Sequence, residues 1–153
     1  MKKLLLVIIA LFLINTVAYG GEVKAYIELL KSDMRTQKIA VITEAMRFTD
    51  KGASAFWPIY REYEIELSRI IDDRIELIKD YGQNYDNLTN EKAKELARQV
   101  FALEKRRTKL KKKYFKKFEK ALSAITAAKF IQVENQINLL IDLQIASDLP
   151  LIK

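Results

Sequence analysis

Residues 89–122 read TNEKAKELARQVFALEKRRTKLKKKYFKKFEKAL, and this stretch decides the fold. Leu96, Val100, Leu103, Leu110, Tyr114 and Phe118 recur at steps of three or four, with Arg107 filling the gap after Leu103. Such steps align side chains along one stripe of an α-helix, because about 3.6 residues complete a turn. The spacing predicts a helix from about Asn90 to Leu122. At 1.5 Å per residue it reaches about 50 Å.

The same pattern lies upstream. Phe56, Tyr60, Tyr63, Leu67, Ile70, Leu77 and Tyr81 form a second seam, with Arg74 in the gap. It predicts a helix from about Asp50 to Tyr81, with Gly82 able to end it. A short connection near Asn84 to Leu88 would fold the two into a long antiparallel hairpin with coiled-coil-like seams. Pro58 lies inside the upstream helix, where it removes a hydrogen bond, so a kink or break is expected there. Arg74 and Arg107 fall at similar levels of the hairpin. Each is expected to snorkel or to pair with a nearby acid such as Asp73 or Glu104; the alternative is that they flank a polar contact surface.

Three helix starts share an apolar residue followed by threonine: Phe48-Thr49, Leu88-Thr89 and Ile125-Thr126. Threonine can accept from an orphan backbone N–H as N-cap, and the apolar residue can staple onto the helix. Phe48, Thr49, Thr89, Ile125 and Thr126 are therefore the expected cap residues, with Ile125 meeting Phe130. Asp50 and Glu91 add favourable charge at their helix starts. These starts imply a first helix from about Asp33 to Met46, capped by Ser32, and a last from about Ala127 to Ser147, ahead of Pro150. With four glycines and two prolines in 153 residues, a sheet protein would lack its turn residues. The expected fold is all-α with four helices.

Residues 1–20 carry a different pattern. Lys2 and Lys3 precede an apolar run from Leu4 to Ile14, and Ala18-Tyr19-Gly20 follows with small residues at cleavage-site spacing. That is the three-part form of a secretory signal, and the run is too short for a comfortable span of about 20 residues. The expected organisation is a signal peptide over 1–20, cleaved after about Gly20, and a single helical domain over 21–153. Two of the 27 basic residues lie in the signal, which leaves 25 against 20 acids in the remainder.

The chain has no cysteine and no histidine. Disulfide staples and a lipid-modified cysteine are excluded. So are a histidine-based zinc site and a serine–histidine triad. No phosphate-binding glycine loop is present. Glu62, Glu64, Glu66 and the pair Asp72-Asp73 read as a solvated helix face rather than a cation site. No catalytic residue, metal or cofactor is expected, and the chain is not expected to be an enzyme.

The strongest charge feature is Lys105 to Lys120, with ten basic residues, the single acid Glu119, and Tyr114, Phe115 and Phe118 interleaved. In an exported protein a nucleic-acid role is not expected. The segment reads as a solvated face around an apolar seam, as a contact for anionic lipid or other envelope polyanions, or as a surface holding non-native polypeptide. In the last reading charge draws a client in and nearby apolar groups hold it. The residues expected to contact a client are Arg106, Lys109, Lys112, Lys113, Phe115, Lys116 and Lys117.

Together with the apolar-Thr helix starts, Phe56-Trp57-Pro58-Ile59-Tyr60-Arg61-Glu62-Tyr63-Glu64 and Phe130-Ile131-Gln132-Val133-Glu134-Asn135-Gln136-Ile137 resemble the Spy/CpxP-like periplasmic proteins, over about residues 30–150. That family carries Leu-Thr-x-x-Gln motifs. Thr49 and Thr126 match its threonines, Phe48 and Ile125 stand where leucine is usual, and Gly52 and Lys129 where glutamine is usual. The resemblance implies a four-helix cradle that dimerises through long antiparallel helices. It also implies ATP-independent chaperone activity, or control of an envelope stress sensor. Metal sensing through histidines, known in some relatives, does not carry across. The expectation is a periplasmic homodimer that holds unfolded or partly folded envelope proteins without nucleotide. The alternative is an adaptor or regulator of an envelope stress-sensing kinase.

Overall fold

A computed structural model describes residues 34–152. The expected signal peptide, Ser32 and Asp33 lie outside the described residues. Four α-helices and no strand occur among the described residues: α1 over 34–46, α2 over Asp50–Asn84, α3 over Asn90–Ala121 and α4 over Ala124–Asp148. One 3₁₀ turn, Tyr85–Asn87, joins α2 to α3. The all-α fold and the helical hairpin follow the hydrophobic spacing. The chain divides into two compact units, one spanning Phe48–Ile131 and the other containing α1 and the residues from Gln132 onward.

The first unit is the hairpin. Thr49 accepts from the Gly52 N–H at 3.3 Å and starts α2; Thr89 accepts from the Lys92 N–H at 3.2 Å and starts α3. Each satisfies one of the donors that a helix start leaves without a partner. Phe56, Tyr60, Tyr63, Leu67, Ile70 and Leu77 of α2 are buried, as are Leu96, Leu110, Tyr114 and Phe118 of α3. Phe130, in the first turns of α4, is also buried. At the end away from the 3₁₀ turn, here called the open end, its ring lies 4.6 Å from Phe118, 5.2 Å from Phe56 and 5.8 Å from Tyr63. Phe56 stacks on Phe118 at 4.9 Å. This aromatic cluster is the core of the unit.

Five details depart from the sequence reading. Pro58 does not break α2, which runs unbroken through it. Pro58 and Ser54 are both exposed, so water can reach the Ser54 carbonyl that loses its donor. Gly82 does not end α2 either. Its φ is not positive, and the helix tightens instead into the 3₁₀ turn as the Tyr85 N–H donates to the Gly82 carbonyl. Thr126 is not the cap of α4. The helix begins at Ala124, and Ser123 Oγ accepts from the Thr126 N–H at 3.1 Å. Ile125 therefore falls on the first turn, 83% exposed, and staples nothing. Val100, assigned to the seam, is 45% exposed.

In the second unit, α1 buries Ile42 and Met46, and the later part of α4 buries Val133 and Glu134. Lys38 Nζ donates to Glu134 Oε1 at 2.9 Å and Asn138 Nδ2 donates to the same oxygen at 3.1 Å. A charge out of water needs such partners. Arg47 ends α1 in the left-handed region, with φ 48°. Ile39, Val41, Leu139, Leu140 and Leu143 of this unit are exposed.

Candidate functional site

The structure sorts the ten basic residues between Lys105 and Lys120 by the face of α3 they occupy. Three pair with acids of α2. Lys117 Nζ pairs with Glu62 at 2.6 Å, Lys113 Nζ with Glu66 at 2.6 Å, and Arg106 with Asp73. Closer to the turn, Lys92 pairs with Asp80 at 2.7 Å. The step from Glu62 to Glu66 matches that from Lys117 to Lys113, and the seven from Glu66 to Asp73 matches the seven from Lys113 to Arg106. These three pairs thus form a ladder in one antiparallel register, as flanking charges do in coiled coils, with Lys92–Asp80 outside it.

Glu66 is the best-connected rung. It accepts from Lys113 Nζ and, at 2.8 Å, from the Tyr114 hydroxyl. The Lys113 hydrogen bond, helped by that from Tyr114, holds its carboxyl below the usual range. Burial, and next the Glu66 contact, push the Tyr114 hydroxyl far above its ordinary value, so it stays protonated. Lys117 Nζ also sits 4.7 Å from the Tyr114 ring centre.

Arg107 is half-buried in the seam, and so is Arg74 on α2. Asp73, named above as an acid near the two arginines, pairs with Arg106. Among the described residues no group of three or more acids is placed to hold a metal ion.

On another face of α3 lies an open groove of about 460 Å³, lined by Thr108, Lys111, Lys112, Phe115, Lys116, Glu119 and Ile131. Its walls are mostly apolar, with lysines at the rim. Of the seven residues expected to contact a client, Lys112, Phe115 and Lys116 meet here. Arg106, Lys113 and Lys117 belong to the ladder. Lys109 is exposed and takes part in neither. Thr108, Lys111, Glu119 and Ile131 were missed by the sequence reading. Ile131 is distant in sequence, and Lys111 was not separable from its neighbours without the face assignment. A second cavity, of about 540 Å³, lies near the turn. Asp73, Asp80 and Glu76 on its wall are all paired, the last with Lys79 at 2.8 Å.

The site is thus an amphipathic groove on a helical hairpin. No protein-family profile, curated protein or solved structure matches the chain.

Proposed function

We propose that the chain is a nucleotide-independent holdase for non-native proteins of the bacterial periplasm, with the groove around Phe115 as its client contact. The observation that supports this reading is the pairing of apolar Phe115 and Ile131 with rim cations Lys112 and Lys116 in a groove open to solvent. Long-range charge attraction brings a client in, and a shallow apolar contact holds it weakly enough for release. The secretory pattern of residues 1–20 supports the location.

The test is light scattering of a denatured model protein in buffer without ATP. A several-fold excess of the chain is expected to suppress aggregation, and an unchanged aggregation curve contradicts the reading. Capture of one stoichiometric sensor-kinase partner from envelope membranes, with no aggregation suppressed, favours the regulator instead. We also propose a homodimer, supported by the exposed Leu139, Leu140 and Leu143 on α4. Light scattering is expected to give more than the 17.8 kDa of one full chain; a mass at or below that value contradicts it.

A further inference from the structure

We propose that the outward face of α3 docks the protein onto an anionic lipid surface, lying along it. Arg98, Lys105, Lys109, Lys112, Lys116 and Lys120 follow one another at steps of three, four and seven, so they share one stripe of the helix. All six are exposed. None of them makes an ion pair among the described residues, in contrast to Lys92 and to Arg106, Lys113 and Lys117 of the ladder. The stripe runs about 33 Å along the helix at 1.5 Å per residue, and Lys94 extends it by one turn. Acids border it, with Glu91 and Glu95 toward the helix start and Glu104 and Glu119 toward the groove side.

A row of like charges left uncancelled is repulsive within the free protein and is relieved by a polyanion. What selects a lipid surface over a soluble polyanion is Phe101. It fills the step between Arg98 and Lys105 and is 72% exposed. A bilayer interface accepts both parts, the cations among phosphate headgroups and the ring at the headgroup–acyl boundary. A hydrated linear polyanion would satisfy the cations and leave the ring in water. The inference does not depend on client binding: none of its test variants lines the groove around Phe115 and Ile131.

The experiment is co-sedimentation of the full chain with phosphatidylcholine vesicles, and with vesicles in which part of that lipid is replaced by phosphatidylglycerol. Binding is expected only to the anionic vesicles. It should be lost near about 1 M salt, where screening falls to about 3 Å. The triple variant Arg98→Gln/Lys105→Gln/Lys109→Gln should bind about a hundredfold more weakly, since each cation near such a surface contributes about fivefold. Phe101→Ser should weaken binding while leaving its salt dependence. Arg61→Gln/Arg69→Gln, on α2, should bind as the parent does. Should the triple variant lose its helical circular dichroism, Lys109→Glu alone gives the same reading on a folded chain. Equal binding to neutral vesicles, a stripe variant that binds like the parent, or binding to a single-stranded oligonucleotide without binding to anionic vesicles would overturn the proposal.

Discussion

The two ends of the hairpin unit are built from the same kind of seam, yet they close differently. At the open end Phe56, Tyr60, Tyr63, Tyr114, Phe118 and Phe130 are at most 2% exposed. Toward the turn Val100 is 45% exposed and Phe101 72%. The difference is the number of helices that meet. At the open end the first turns of α4 place Ala127 and Phe130 with the rings of α2 and α3. Among the described residues of this unit, only α2 and α3 lie side by side near the turn, and two cylinders cover less than half of each other. Near the turn the pair alone still buries Leu77 and Leu96, at 8% and 7% exposed, while Val100 is left largely in water. Phe101 lies outside the seam spacing, on the outward stripe of α3, and its exposed ring is the one proposed to meet lipid.

The sharpest way to break this comparison is to truncate one residue at each end. Phe130→Ala should cost about 3–5 kcal/mol of stability in urea unfolding, the range for a fully buried aromatic whose neighbours cannot collapse into the gap. Val100→Ala should cost less than about 1 kcal/mol. Equal losses would show that the third helix contributes nothing special. Gly82 sharpens the picture at the turn end. It is helical, exposed, and has nothing within 4 Å of where a Cβ would sit. Gly82→Ala should stabilise by about 0.5–1 kcal/mol, through the entropy of the unfolded chain. Gly52→Ala should gain less, because its Cβ would meet Phe48 Cδ1 at 3.3 Å. The thermal midpoints of the two variants check this order.

The smallest expected effect concerns the ladder between α2 and α3. Because Lys113 holds the Glu66 carboxyl below its ordinary value, its stabilisation is complete above that ordinary value of about 4.3 and is lost as pH falls through the lower, folded value. Glu66 is 37% exposed, so solvent screening limits the effect to less than about 1 kcal/mol. Acid titration of the thermal midpoint, parent against Glu66→Gln, should show the variant with a shallower fall below about pH 4.

How far the sequence could be read follows the same physical division. The buried seam of α2 from Phe56 to Leu77, and of α3 at Leu110, Tyr114 and Phe118, was legible because helical spacing alone sets it. The caps at Thr49 and Thr89 were legible because no competing hydroxyl precedes them closely. Thr126 misled because Ser123, three residues earlier, is an equally good acceptor, and spacing cannot choose between them. Pro58 misled because its cost depends on solvent reaching the freed carbonyl, which is a tertiary fact. The ladder was present in the sequence as matched steps of four and seven on two helices. Reading Glu62 and Glu66 as a solvated face hid it, and three cations assigned to a client were in fact holding α2. Only Lys112, Phe115 and Lys116 of that set came together, since a groove takes its far wall, here Ile131, from a distant part of the chain.

The measurement that tests the account most directly removes two charges from α3 on either of two faces. In the aggregation assay, Lys112→Gln/Lys116→Gln with Phe115→Ser should lose most of the suppression seen with the parent chain. Lys113→Gln/Lys117→Gln, which takes the same charge from the ladder, should retain it. Equal loss in both variants, or full activity in the groove variant, would contradict the assignment of client binding to the groove.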